Sequence, residues 1–236
     1  GVTGQNGRVG KLLIAELTQP NQNGLNFCGA ISRNDDAQFL FQEADCIIDF
    51  THPEATMEYL ELAQKTKTAL VIGTTGMTAE QDAKITNAAK HIPILYAANM
   101  SIGVNLLLSL VEKTAATLSS EWDIEILDTH HHNKIDSPSG TAIALGNSAK
   151  AGRDNTGDFV VNREGKRHEG DIGYAVRRGG DIVGEHTVSF YGAGERIELS
   201  HMATNRALFA QGAIKGATWV LTQNPGLYSM RDMLGL

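Results

Sequence analysis

Residues 128–142 read DTHHHNKIDSPSGTA. The three histidines change charge near neutral pH, so they can pass a proton or meet an anion. Lys134 adds a compact, strongly hydrated positive charge. Ser139, Gly140 and Thr141 read as the first turn of a helix, where backbone N–H groups without partners suit a carboxylate. Three chemistries compete: a metal centre, nucleophilic hydrolysis, and proton transfer beside an anion cradle. Adjacent residues on a strand point to opposite faces, and no cysteine or HExxH spacing accompanies the histidines, so no metal is expected. Ser139 stands in PSGT rather than in G-x-S-x-G, which argues against a serine hydrolase. The cradle fits best. His130 and His131 are its candidate proton-transfer and anion-binding groups, and His132 is the spectator. His52, His91, His168, His186 and His201 read as structural or surface groups.

A second constellation opens the chain. Gly4, Gln5, Asn6, Gly7, Arg8, Val9 and Gly10 form a glycine-rich strand-to-helix turn. Such a turn lets backbone approach a pyrophosphate, whose charge the helix N-terminus stabilises. Its spacing is G-x-x-G-x-x-G rather than G-x-G-x-x-G. At the end of the next apolar run, where a Rossmann fold often places an acid on the ribose, stand Ser32 and Arg33. A missing acid beside an arginine favours a 2′-phosphate, and so NADPH over NADH. Gly73, Thr74 and Thr75 end a third run, and Ala97, Ala98, Asn99 and Met100 a fourth. Ligands of open α/β sheets bind outside the carboxyl ends of strands, and small residues there leave room for a flat nicotinamide ring.

These positions need elements to hold them. The apolar runs 25–32, 45–51, 68–75 and 93–99 are continuous rather than alternating, as in parallel strands covered on both faces. Helical patterns over 7–18, 53–65 and 78–89 separate them. Pro20 stops the first, Pro53 starts the second, and Thr78 with Gln81 makes a capping box for the third. Almost no strand precedes the glycine turn. This alternation predicts βαβ units and a doubly wound sheet. Beyond Asn99 the spacing predicts a helix over 101–119, a period-2 strand over 122–130 and a helix over 137–150. Three strands within 172–202, turned at Gly179-Gly180 and Gly192-Ala193-Gly194, predict an antiparallel meander. A last helix over 206–221 has Trp219 and Leu221 as packing residues.

Composition narrows the partners. The 236 residues are 42% hydrophobic and 20% charged, with a formal net charge of −7, so a basic nucleic-acid surface is not indicated. No apolar stretch approaches membrane-spanning length, and no signal-peptide pattern opens the chain. Cys28 and Cys46, each in an apolar run, read as buried reduced thiols. The expectation is a cytoplasmic protein with neither nucleic acid nor membrane as partner.

DTHHHNKIDSPSGTA resembles the signature of the dihydrodipicolinate reductase (4-hydroxy-tetrahydrodipicolinate reductase) family of lysine and diaminopimelate biosynthesis: an acid, x, His-His, x, x, Lys, x, Asp, x, Pro-Ser-Gly-Thr. IDFTHPE, VIGTTG, AANMSIGVN, GDIVGEHT and GLYSMRDML are similar to further family segments, so the resemblance runs the length of the chain. It implies an α/β fold: a Rossmann-type doubly wound parallel sheet over residues 1–100 plus 206–236, with a second α+β substrate and tetramerisation domain over 101–205. It implies an oxidoreductase, a homotetramer, that moves a hydride from NADPH or NADH to a cyclic unsaturated dicarboxylate. Carried over by position, His130 would be the proton donor or its organiser, and Lys134 a second proton-transfer and carboxylate-binding group. His131, Gly140 and Thr141 would hold substrate. Gly4, Gln5, Asn6, Gly7, Arg8, Val9, Gly73, Thr74, Thr75, Ala97, Ala98, Asn99 and Met100 would hold the cofactor, with Ser32 and Arg33 at its adenosine end. The chain departs from the family pattern in its short first strand, its short Arg33–Asp45 connection, a slightly short 151–157 stretch, and Ser32 where many relatives carry an acid. A dinucleotide sensor without turnover would have lost its proton-donating groups, yet His130 and Lys134 are both present.

Overall fold

Strand β4 (Ala69–Ile72) shows why the first apolar runs are continuous. Ala69 and Val71 enter one hydrophobic cluster, while Leu70 and Ile72 enter another. Successive side chains of a strand leave opposite faces, so a strand covered on both sides must be apolar throughout. β3 (Cys46–Asp49) and β5 (Pro93–Tyr96) divide in the same way, Ile48 and Leu95 to one cluster and Ile47 and Ile94 to the other. The computed structural model describes residues 1–19, 24–118, 120–153 and 157–236. Pro20 as a helix stop, position 119 of the long helix and much of the short 151–157 stretch lie outside the described residues.

The chain divides into two compact units, Gly1–Ile102 with Arg206–Leu236, and Gly103–Asn205. The first holds a six-stranded sheet in the order β11-β5-β4-β3-β1-β2, whose described pairings are all parallel. β1 is Val2–Thr3, β2 Ala30–Ile31 and β11 Gly226–Tyr228. Helices α1 (Arg8–Leu17), α3 (Pro53–Thr66) and α4 (Ala79–Ala88) alternate with the strands. α7 (Ala207–Val220) lays Ala210, Ala213, Ile214 and Ala217 on the β3–β5 face that carries Ile48, Val71 and Leu95. Each such large apolar side chain contributes about 1.5–3 kcal/mol on burial.

The second unit packs α5 (Ile102–Thr117) and α6 (Gly140–Arg153) with a five-stranded sheet in the order β10-β9-β6-β8-β7. In β6 (Asp123–His130), Ile124 and Ile126 are buried and alternate with half-buried residues. They meet Leu107, Val111, Ala142, Leu145 and Phe190 in one core.

Several expectations are corrected. The strands β8 (Ile172–Arg178), β9 (Gly184–Gly192) and β10 (Glu195–Ala203) do not form a meander. β6 lies between β8 and β9, parallel to the first and antiparallel to the second. The Gly179–Gly180 turn therefore passes the end of β6 and ties it down: Gly179 N–H bonds the His130 carbonyl, and the His131 and His132 amides bond the carbonyls of Ile182 and Gly180. β2 is far shorter than 25–32. Four short elements carry too little pattern to be read from sequence: α2 (Ala37–Glu43), β7 (Phe159–Val161), β11 and α8 (Met230–Leu234). α2 occupies the short Arg33–Asp45 connection, capped by Asp36, with Leu40 and Phe41 buried. Cys28 is exposed, whereas Cys46 is buried and its thiol is pushed up to about 12 by that burial. Leu221 is 40% exposed rather than packed, while Trp219 meets Tyr228 edge-on. Among the described residues, no helix is long and apolar enough to cross a membrane.

Candidate active site

The β1–α1 turn is built by two glycines. Gly4 has φ +77°, and a Cβ on Gly10 would overlap the Gly4 carbonyl oxygen, so the helix packs directly on the turn. Gly4 and Gln5 donate their amides to the Ile31 carbonyl. α1 starts at Gly7 with no side-chain cap and no acid in its first turn. Its free amides are thus left for an anion. A cleft of about 610 Å³ opens here, lined by Gly4, Asn6, Gly7, Ser32 and Arg33 among others. These residues fit a dinucleotide's phosphates and ribose. Gln5 is half-buried and its amide side chain donates to Asp35. Arg8 is exposed and Val9 packs partly on the core. Ser32 gives both its N–H and its hydroxyl to Asp35, at 2.7 and 2.9 Å. An acid therefore does reach this corner, from three residues further on. These bonds hold the Asp35 carboxyl below its usual range. Arg33 lies 3.1 Å from His52, which also lines the cleft, so His52 is not a bland surface group.

Gly73, Thr74 and Thr75 follow β4, and Ala97, Ala98, Asn99 and Met100 follow β5, but none of them lines that cleft. Thr74 is buried and its hydroxyl is committed elsewhere: it accepts from the Thr51 amide and donates to Asp49. Asp49, 1% exposed at the end of β3, accepts hydroxyl bonds from Thr3, Thr51, Thr56 and Thr74 at 2.6, 2.6, 2.5 and 3.0 Å. This one carboxylate joins the ends of β1, β3 and β4 to α3. It was missed as a candidate, although an acid closing an apolar run is a readable signal. Met100 belongs to the core and Asn99 accepts from the Ser101 amide.

The second unit gathers a different set. Asp128 is fully buried in β6. The strand register sets it opposite His186 of β9 and sets His130 opposite Arg178 of β8. His130 Nδ1 lies 2.8 Å and His186 Nε2 3.3 Å from Asp128 Oδ1, ion-pair contacts rather than well-aligned hydrogen bonds. On Oδ2, Asp128 accepts from the Ser139 amide at 2.8 Å and from Arg178 at 3.2 Å. Burial alone would raise the Asp128 carboxyl, but the two histidines and Ser139 outweigh it and hold the group far below the usual carboxylate range. With Nδ1 turned to Asp128, the His130 Nε2 edge faces Gly184, where a Cβ would come within 2.9 Å.

His186, read from sequence as structural or surface, is thus part of this cluster, its ring 5.1 Å from that of His130. Asp128, Arg178 and His186 were all missed as candidates. The acid lies inside the quoted motif, but the other two come together only through strand pairing. Ser139 corrects the cradle. Its amide goes to Asp128, and its hydroxyl meets the Ala142 amide and His186. Gly140 and Thr141 at the start of α6, Lys134 and His131 remain at the more accessible rim. The ligand atoms of Asp128, His130 and His186 lie within 4.8 Å of one another, close enough to share a cation. The Arg178 guanidinium on the same carboxylate opposes one.

Residues 1–100 match the N-terminal part, and residues 103–234 the C-terminal part, of the dihydrodipicolinate reductase family. The chain belongs to that family. Two relatives named 4-hydroxy-tetrahydrodipicolinate reductase, from Ruegeria pomeroyi and Thiobacillus denitrificans, are each 44% identical to it, over 100% of this chain and 97% of theirs. A dipicolinate-bound dihydrodipicolinate reductase from Paenisporosarcina sp. TG-14 has the same fold, with a TM-score of 0.77 at 22% identity, over 97% of this chain and 96% of that one. Family membership makes the chain an NAD(P)H-dependent oxidoreductase. A glycine turn fit for phosphates in one unit and a histidine cluster in the other are the parts such an enzyme needs.

Proposed function

We propose that this enzyme reduces 4-hydroxy-tetrahydrodipicolinate to tetrahydrodipicolinate in lysine and diaminopimelate biosynthesis, the 4-hydroxyl leaving as water to give the conjugated dihydrodipicolinate that accepts the hydride. The observation that carries the residue assignment is the Asp128–His130 contact. A buried carboxylate on Nδ1 orients the imidazole, leaving Nε2 as the edge that can deliver a proton. When bound, the nicotinamide cofactor supplies the hydride. His130 then quenches the electron density that hydride addition builds on the conjugated imine, and Lys134, His131, Gly140 and Thr141 hold the substrate carboxylates. Gly4, Gln5, Asn6, Gly7, Arg8, Val9, Gly73, Thr74, Thr75, Ala97, Ala98, Asn99 and Met100 hold the cofactor through backbone and position. For Thr74 and Met100 the side chain serves the fold beneath. Ser32 and Arg33 give a preference for NADPH. Asp35 counts against this, but the Arg33 guanidinium is the stronger partner for a 2′-phosphate. The same membership supports a homotetramer working in the cytoplasm.

A coupled assay tests the reading. Substrate is formed in situ from pyruvate and aspartate semialdehyde by the preceding synthase, and NADPH and NADH oxidation are followed separately. Substrate-dependent oxidation is expected, lost roughly 10²–10⁴-fold in His130→Gln. Arg33→Ala should raise the KM for NADPH and leave that for NADH nearly unchanged. Equal efficiency with both cofactors before the substitution would remove the preference.

A further inference from the structure

The motif holds two acids, and the structure gives them opposite situations. Asp128 is buried and ringed by donors. Asp136 is 59% exposed, and its Oδ1 lies 2.8 Å from Nζ of Lys134, itself only 19% exposed. The Asp136 side chain therefore engages one of the groups assigned above to the substrate carboxylate. Its tether to Lys134 is a single intervening residue, so the pair forms readily. Its exposure makes the pair weak enough to break, since solvent screens surface ion pairs.

We infer that Asp136 is an internal counter-ion: in the free enzyme its carboxylate takes the place of a substrate carboxylate on Lys134, and substrate binds by displacing it. The inference rests on the proposed role of Lys134. One carboxylate exchanged for another keeps the half-buried Lys134 ammonium paired throughout. The displaced Asp136 stays near an incoming dianion and repels it. Competition in the free state and repulsion in the complex act in the same direction, so Asp136 lowers affinity and eases release of a dianionic product.

Dipicolinate, a stable planar dicarboxylate, is the probe. Its binding is measured by calorimetry on the full chain with saturating NADPH or NADH. Asp136→Asn should tighten binding roughly three- to tenfold at low salt, with the gain shrinking as salt rises. Lys134→Met should weaken binding, and Asp136→Asn should add nothing in that background. A gain in affinity is not what loss of structure produces. If Lys134→Met weakens binding while Asp136→Asn leaves it unchanged or poorer, the counter-ion role is overturned and the carboxylate-binding role of Lys134 stands. If Lys134→Met has no effect, both fall together.

Discussion

Asp49 in the first unit and Asp128 in the second are buried carboxylates at or near the carboxyl end of a central strand, and the two are dressed differently. Asp49 accepts four threonine hydroxyls. Asp128 meets two imidazoles, a guanidinium and an amide. A buried charge is tolerated only when it is paired or hydrogen-bonded, and both residues meet that condition. Burial therefore does not separate them, but the partners do. Hydroxyls do not titrate near neutral pH, so the Asp49 cluster is a fixed tie that sets the loops of the cofactor unit. The Asp128 cluster instead holds two imidazoles, one of them the ring proposed above to deliver the proton. The same residue type is dressed for a fixed tie in one unit and for the proposed chemistry in the other.

The sharpest way to break this contrast is Asp128→Asn. It should lower kcat roughly hundredfold by misorienting His130 and lower stability by about 3 kcal/mol, because Arg178 loses its counter-charge. Steady-state kinetics and urea unfolding measure the two effects. Asp49→Asn should do less. We expect a loss of about 1–3 kcal/mol and a raised KM for cofactor, with kcat nearly kept. A fall in kcat as large as that of Asp128→Asn would erase the distinction.

The pH dependence of stability should also separate the two clusters. The Asp128 carboxyl is held below its usual value in the folded state. Its contribution is therefore complete above the unfolded value of about 3.9 and is lost as pH falls toward the folded one. Unfolding free energy measured from pH 6 to pH 3 should drop more steeply in the unsubstituted protein than in Asp128→Asn. Parallel curves would mean that the cluster does not hold the carboxylate charged.

Much of the fold was legible because its signals are local. Continuous apolar runs mark two-faced parallel strands. Thr78 with Gln81 marks a helix start that the structure realises as a capping box. The glycine turn was legible too, since Gly4 needs a left-handed φ and Gly10 tolerates no side chain. What was not legible depends on pairing. Nothing in the spacing of β8 and β9 says that β6 lies between them. Once it does, Asp128 faces His186 and His130 faces Arg178. The commitment of Ser139 was not legible for a different reason: spacing does not say that Asp128, within the same motif, is buried and takes the Ser139 amide.

By itself, the sequence determined the family, the alternation of elements and the residue types able to bind phosphate, carry a proton and meet a carboxylate. The family follows from the resemblance of whole motifs, and the rest from short-range spacing, which sterics and periodicity translate directly into helices, strands and turns. Only the tertiary structure decided which of these groups remain at accessible rims and which are committed beneath. Thr74 and Ser139 turned inward to buried carboxylates, while Lys134 and Gly140 stayed near the surface with Asp136. The reason is physical: a buried charge must recruit every donor within reach, and which donors are within reach is set by strand register.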